Sequence, residues 1–183
     1  MNSAYILTKR WMRLIGHLPE TPLDIKDKKM EFFLGLIREE FEDELVLAIE
    51  GWKDKARTKR YESEKERKKD IIDALGDLTV VINNMLIVLG VNGDELAQEI
   101  FLSNKSKFCD TVEEAEESVI KYQLAGIETY YEKMYTPSSD IPYYLIKRKS
   151  TGKILKGINF KEPDLEKFLW LLLQVVGDLK ILV

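Results

Sequence analysis

The chain has few of the residues from which disulfides, histidine-rich metal sites and nucleophilic triads are built. Among 183 residues there is one cysteine, Cys109, and one histidine, His17. A lone cysteine excludes an internal disulfide framework and fits a reducing compartment. We therefore expect Cys109 to be a structural thiol, without a histidine partner to activate it. We expect His17 to have a core or surface role.

Excess positive charge and long apolar runs are also missing. The net charge is −4 and the pI is about 5.3, so we expect no nucleic-acid polymer among the partners. No uninterrupted apolar run reaches the roughly 18 residues that span a membrane, and the N-terminus lacks the arrangement of a signal peptide. With 45% hydrophobic residues, the composition predicts a globular, cytoplasmic protein that is not bound to a membrane.

Helical periodicity dominates the chain until a β-prone segment near its end. "YYLIKRKSTGKILKG" predicts a hairpin that turns at "KSTGK", and a very apolar C-terminal helix follows. The predicted fold is therefore an all-α helical bundle with a small C-terminal α+β extension, made of the hairpin and the terminal helix. We predict a core over residues 1–108 and an extension over 109–183, packed on the core or on a partner subunit. The predicted helices are 4–17, 27–51, 70–89, 94–103 and 111–125, with Asp94 and Thr111 as N-caps and Gly126 as a stop.

Between two of these helices lies a basic stretch, residues 52–69. It holds nine basic and four acidic residues. One interpretation is a solvated connector or an exposed helix start. The other is a positive rim that attracts an anionic ligand.

Carboxylates lie beside the apolar faces of two predicted helices. On the helix 27–51, Glu40 and Asp43 fall on one stripe between two leucines. The helix 70–89 is otherwise a core helix, yet it carries a polar stripe. That stripe consists of Asp70, Asp73, Asp77 and Asn84.

Several carboxylates at one helical seam need a compensating charge, because burial and mutual repulsion are both costly. Neither stripe supplies lysine or arginine, so a divalent cation is favoured. Oxygen ligands without histidine or cysteine suit Mg²⁺, or Mn²⁺, rather than zinc. Three other interpretations remain open. "EEFEDE" is also typical of a solvated helix face, "DALGD" of a first helical turn, and a partner protein could supply the lysines.

The same residues carry a family resemblance. "LIREEFEDELVLAI", "DIIDALGDLTVVINN" and "FLSNKSKF" resemble the all-α nucleotide pyrophosphatase superfamily, which includes MazG-like and phosphoribosyl-ATP pyrophosphohydrolases. Its hallmark is EExxE on one helix and ExxD on the next. "TGKILKGINFKEPDL" is similar to the tail of a phosphoribosyl-ATP-pyrophosphohydrolase-like subgroup. The resemblance covers about residues 30–108 and 151–165.

The resemblance implies a set of site residues. The implied metal ligands are Glu40, Asp43, Asp73 and Asp77, and Glu39 is implied to orient or deprotonate the attacking water. Asp43 stands where the family usually has glutamate, and Glu44 could replace it after a small helix rotation. Ala74 stands where ExxD has its glutamate, so we expect Asp73 to take that role. The implied substrate-binding residues are Asn84, Asn104, Lys107, Lys153 and Lys156.

The implied activity is Mg²⁺-dependent hydrolysis of a nucleoside triphosphate between the α and β phosphates, giving a monophosphate and pyrophosphate. One alternative is phosphoribosyl-ATP hydrolysis, which the same acids would serve. Another is a non-catalytic helical module that binds nucleotides or another protein. We also expect self-association into a dimer or tetramer, because two helices and one seam need further helices to close a bundle.

Overall fold

A computed structural model of the protein describes residues 3–50, 63–136 and 139–169. The described residues belong to two compact units. The first unit contains those of 1–95 together with 166–169, and the second is Leu96–Leu165. The described chain is mostly helical, with a small two-stranded antiparallel sheet, which confirms a helical protein with a small α+β part; the type of bundle stays a prediction. The predicted domains, 1–108 and 109–183, stay a prediction.

Helices form the first unit. Three of them start at short polar side chains that accept hydrogen bonds from free backbone N–H groups, namely Ser3, Asp27 and Ser63. The elements are α1 (Ala4–Leu14), α2 (Lys28–Arg38), a π-helical segment (Glu39–Val46), α3 (Leu47–Glu50) and α4 (Glu64–Val88).

The predicted helix 27–51 is helical from Lys28 to Glu50, but its centre is not an α-helix. Residues Glu39–Val46 are π-helical, with backbone hydrogen bonds from i to i+5 that place more residues in each turn. The predicted stripe that puts Glu40 and Asp43 on one face therefore does not hold through the acidic run. The predicted end of this helix at residue 51 lies outside the described residues.

Helix α4 begins earlier than predicted. It starts at Glu64 rather than at residue 70, so the end of the basic stretch 52–69 is an exposed helix start. The rest of that stretch, up to residue 62, lies outside the described residues. By length and composition α4 could cross a membrane, since an 18-residue window has a mean hydropathy of 1.7. A packed helix of a water-soluble protein meets the same criterion, so this finding assigns no location.

The first unit has its core where α1, α2 and α4 meet. Met12, Phe33, Ile87 and Val88 are buried there. The π segment also packs on α4. At the other end of this contact, the Arg67 guanidinium donates to the carbonyl oxygens of Ala48 (2.7 Å) and Ile49. Both carbonyls belong to α3, so Arg67 ties α3 to α4.

The helices of the next stretch are α5 (Gly93–Lys105) and α6 (Val112–Leu124). Predicting Asp94 as the N-cap was wrong. The side chain of Asn92 accepts from the Asp94 N–H at 3.1 Å, and α5 runs two residues past the predicted end. The Thr111 cap is confirmed by a 3.2 Å bond from the Glu114 N–H, and Gly126 ends α6 with φ +74°.

The sheet differs from the predicted hairpin. Strand β2 (Ser139–Arg148) contains the first predicted run, but it pairs with β1 (Thr129–Thr136), which was not predicted. After the turn at Gly152, the second run forms only a bridge between Lys147 and Ile154. The β1 segment "TYYEKMYT" is rich in aromatic and β-branched residues, and it offers β2 a longer ladder than "KILKG" does.

The second unit has a core of its own between α6 and the sheet. Cys109, Ala115, Tyr144, Ile146 and Leu155 are buried there, as expected for a structural thiol at Cys109. Of the predicted terminal helix, residues 166–169 are helical and the remainder lies outside the described residues.

Candidate functional site

A half-buried carboxylate lies on the π segment of the first unit. The Oε2 atom of Glu40 is buried, and no described residue hydrogen-bonds to it. Burial raises the Glu40 pKa above the usual value, and the negative charge of Glu44 raises it further. Asp77, Glu39 and Asp73 act in the same direction. Carboxylates of the π segment and of α4 are therefore near enough to repel one another.

The π segment determines which of its acids join this acidic cluster, which we define as Glu39, Glu40, Glu44, Asp73 and Asp77. Because backbone bonds run from i to i+5, Glu44 rather than Asp43 follows Glu40 around the helix. Asp43 is exposed and is not among the groups that raise the Glu40 pKa. A small helix rotation would let Glu44 replace Asp43, and the π segment places Glu44 beside Glu40 in this way.

The α4 side of the acidic cluster follows from the packing of Ala74. Ala74 has no solvent exposure, so a glutamate at this position would have to enter the packed helix contact. Asp73, one residue earlier, is exposed, and its charge reaches Glu40. Asp73 is therefore the acid beside Ala74 whose charge raises the Glu40 pKa, and its role as a metal ligand stays a prediction.

Compensating positive charge is missing from the described part of the acidic cluster. Among the described residues, no lysine or arginine forms an ion pair with Glu40, Asp73 or Asp77. Within the same ranges, no three histidine, cysteine or acidic side chains lie close enough to form a ready-made metal site. The acids are near neighbours without a formed coordination shell. Four of them are exposed, so their side chains can turn.

Asn84 lies further along α4. It is 9% exposed, and its Oδ1 atom has no hydrogen-bond partner among the described residues. Seven residues of α-helix place it about 10.5 Å beyond Asp77 along the axis. A buried amide oxygen without a partner is costly, and it marks a position where a ligand or water would be stabilised.

The other predicted contacts lie in the second unit. Asn104 and Lys107 lie together, since Lys107 Nζ donates to Asn104 Oδ1 at 2.5 Å. Among the described residues, neither the Lys153 nor the Lys156 side chain hydrogen-bonds to this pair. Lys153 is exposed, and the Lys156 ammonium pairs with Glu162 and lies 4.0 Å from the centre of the Phe160 ring.

Asn104 and Lys107 line a cavity of about 500 Å³ that the sequence did not indicate. We call it the aromatic pocket; it is lined by Phe101, Asn104, Lys105, Lys107, Phe108, Asp110, Thr136, Tyr143 and Ile154. Its wall includes Phe108 and Tyr143, whose rings stack with centroids 5.1 Å apart and planes 24° apart. The alternation of aromatic and polar residues in "IFLSNKSKF" is the signal that could have found half of this wall. Tyr143 belongs to β2, so its place in this wall could be found only from the fold.

Comparison with known proteins gives one distant relative. No protein-family model matches the chain. Over 83 residues, 45% of the chain, it is 35% identical to the uncharacterized protein L479 of Acanthamoeba polyphaga mimivirus. The matched part is 33% of the viral protein, so the chain spans about a third of its relative's length.

Proposed function

We propose that the protein is a Mg²⁺-dependent nucleotide pyrophosphohydrolase that cleaves a nucleoside triphosphate between its α and β phosphates, within the all-α pyrophosphatase type of bundle. The observation that carries the proposal is Glu40. Its half-buried carboxylate has an Oε2 to which no described residue hydrogen-bonds, and acids from two packed helices surround it. A cation would remove this repulsion, and no lysine or arginine among the described residues forms an ion pair that does so. The motifs "EEFEDE" and "DALGD" point to the same chemistry.

The donor set of the acidic cluster fits a hard cation. All of its ligands are carboxylate oxygens, which Mg²⁺ and Mn²⁺ prefer. Glu40, Asp73 and Asp77 would hold the ion, with Glu44 or Asp43 completing the set from the π segment. When bound, the ion would neutralise phosphate charge and lower the pKa of a coordinated water.

Glu39 is the residue we assign to the attacking water. It is exposed, and it lies next to Glu40 in the sequence, where its charge already reaches the acidic cluster. An ionised glutamate at this position can accept a proton from water as the phosphoanhydride breaks. The protein supplies no covalent nucleophile in this scheme, since Cys109 is buried in the second unit.

The direct test is pyrophosphate release from a panel of nucleoside triphosphates and phosphoribosyl-ATP, with Mg²⁺ or with a chelator. Asp77→Asn keeps the size of the side chain and removes its charge. We expect it to lower turnover at least a hundredfold while leaving the melting temperature within about 2 °C. Asp140→Asn, an exposed acid on β2, is the matched control and should keep full activity. Equal rates for Asp77→Asn and the unmodified chain would contradict the assignment.

The panel also separates two activities that share these acids. Pyrophosphate release from phosphoribosyl-ATP alone would indicate a biosynthetic hydrolase. Pyrophosphate release from common nucleoside triphosphates would indicate a house-cleaning hydrolase of the cytoplasm, which is the activity that we favour.

A second candidate is a non-catalytic helical module that binds a nucleotide or another protein. The observation that favours it is the lack, among the described residues, of three acids close enough to form a metal site. Its acids would then be neutralised by lysines of a partner. Mg²⁺ that neither raises the melting temperature nor supports turnover of any substrate in the panel would select this candidate.

We also propose that the chain associates with a second copy of itself. Ile72, Leu75 and Ile82 of α4 are 69%, 48% and 45% exposed, and with Thr79 they form one stripe at spacings of three, four and three. Continuous apolar surface of this kind is typical of an interface. The stripe lies on the helix that carries Asp73 and Asp77, so association and the acidic cluster would depend on the same element.

A further inference from the structure

The aromatic pocket of the second unit combines features that a flat, negatively charged ligand requires. A volume of about 500 Å³ is within the range of about 300–1,000 Å³ that small-molecule sites occupy. Most of its surface is apolar, and two lysines, Lys105 and Lys107, stand against one acid, Asp110. All of its lining residues lie between positions 101 and 154 of the chain, within the second unit.

The apolar wall offers aromatic faces for stacking. Phe108 and Tyr143 already stack on each other with nearly parallel rings, which fixes the orientation of that surface. Phe101 is 63% exposed, an unusual position for a phenylalanine that lines a cavity. Aromatic side chains arranged in this way bind planar heterocycles by stacking, with little dependence on which base is bound.

The polar side of the pocket offers hydrogen-bond donors. Lys107 can only donate, so its bond to Asn104 Oδ1 turns the other end of the amide, the Nδ2 donor, away from the lysine. Among the described residues, no hydrogen bond from Asn104 Nδ2 is present. Lys107 keeps two further ammonium protons. Donors from an amide and an ammonium group beside aromatic rings match a heterocycle that carries acceptors and an anionic substituent.

We infer that the aromatic pocket binds the base of a nucleotide, with its ring against Phe101 and the Phe108–Tyr143 pair and with its phosphates toward Lys107. This inference rests on the proposed function for the choice of a nucleotide as ligand. It adds a binding site formed by residues outside the acidic motifs and identifies base stacking as its mode of recognition. It also removes Lys153 and Lys156 from the direct contacts, because neither lines the pocket.

The test is binding in the presence of EDTA, so that no nucleotide binds through a cation held by the acidic cluster. The probes are ATP, GTP, CTP, UTP, adenosine and tripolyphosphate, measured by calorimetry and by saturation-transfer NMR from the protein to the base protons. We expect at least one nucleotide to bind, adenosine to bind more weakly, and saturation transfer to reach its ring protons. Tripolyphosphate should bind at least tenfold more weakly than the best nucleotide.

Two kinds of variant separate ring contacts from charge contacts. Phe101→Ala removes an exposed ring, so it should fold normally and weaken both nucleotide and adenosine at least fivefold. Phe108→Leu is the second ring variant. Lys107→Met should weaken the nucleotide at least fivefold and change adenosine less. The controls are Leu102→Ala, beside Phe101 on α5 but outside the pocket, and Lys121→Met on α6; neither should alter binding.

Several outcomes would overturn the inference. They are no binding by any of the four nucleotides, tripolyphosphate binding as tightly as the nucleotides, or unchanged affinity in both ring variants. Its failure is distinguishable from failure of the proposed function. Turnover with Mg²⁺, together with unchanged nucleotide affinity in both ring variants, would reject the pocket and keep the enzyme. Binding through the pocket without turnover of any substrate would keep the pocket and reject the enzyme.

Discussion

At the scale of single residues, the acidic cluster is a balance between burial and repulsion. Glu40 illustrates it, because its carboxylate is partly removed from water and faces acids of two helices. A raised pKa in the folded state means that folding favours the protonated carboxyl. The stabilising contribution of Glu40 is therefore fully present below the unfolded pKa of about 4.3 and is lost as the pH rises through its higher folded value.

The variant Glu40→Gln tests the sign of this pH dependence of stability. Without a divalent cation at pH 7, the variant should melt roughly 1–3 °C above the unmodified chain, because it removes an ionised group from a negative surrounding. The difference should shrink as the pH falls, because the raised pKa of Glu40 favours its protonated form in the folded state. Melting curves between pH 4 and pH 8 with EDTA, and again with about 10 mM Mg²⁺, check this. Mg²⁺ should stabilise the unmodified chain more than the variant.

Glu42→Gln is the matched control for that series. Glu42 is an exposed acid of the same π segment and is not among the groups that raise the Glu40 pKa. It should show neither the pH-dependent gain nor the loss of the Mg²⁺ response. Equal behaviour of the two variants would show that Glu40 has no special electrostatic position.

At the scale of elements, the second unit depends on one close contact behind the aromatic pocket. The Gly157 N–H donates to the Lys107 carbonyl at 2.9 Å. A Cβ atom at Gly157 would lie 2.8 Å from Cys109 Sγ and 2.9 Å from that carbonyl oxygen. The segment that follows β2 can therefore reach the turn after α5 only if residue 157 has no side chain.

Gly157→Ala should destabilise the second unit by about 1–3 kcal/mol, since a buried thiol and a backbone oxygen would have to move. Chemical denaturation and amide exchange of residues 107–109 measure this. The comparison is Gly76→Ala in α4, where an added Cβ meets no atom within 4 Å. That variant should gain about 0.5–1 kcal/mol from helix propensity. Equal effects at the two glycines would contradict the close-contact argument.

At the scale of the whole molecule, the question is whether the exposed stripe of α4 is covered by a second copy. Light scattering on the unmodified chain should give at least twice its monomer mass of 21.3 kDa. The double variant Ile72→Glu with Leu75→Glu should shift the protein toward the monomer, because two charges at an apolar interface are costly to bury. Leu124→Glu, at a residue that is 86% exposed on α6, is the control.

A monomer for the unmodified chain across a wide concentration range would reject self-association. If the double variant becomes monomeric and also loses Mg²⁺-dependent stabilisation, the acidic cluster needs the assembled α4. If it becomes monomeric and keeps that response, each chain holds the cation by itself.

The sequence by itself determined the approximate position of each helix, one of the caps and the acids beside the apolar faces of two helices. Ser, Thr and Asp caps and glycine stops act over a few residues, so Thr111 and Gly126 were predictable from local chemistry alone. Helical spacing also placed Asp73 and Asp77 on one face of α4, whereas the choice of Asp73 in place of Ala74 came from the family resemblance. These features depend on residues that are close together in the sequence, so they can be predicted from the sequence alone.

Only the tertiary structure decided which side chains meet. The π-helical winding brings Glu44 instead of Asp43 to Glu40, and hydrogen-bond spacing of this kind is not visible in a pattern of apolar residues. The bridge between Cys109 and Tyr144 of β2 brings Tyr143 to Phe108, although the two are 35 positions apart. Contacts between distant residues depend on competing partners for each strand and helix, and that competition is resolved only when the whole unit packs.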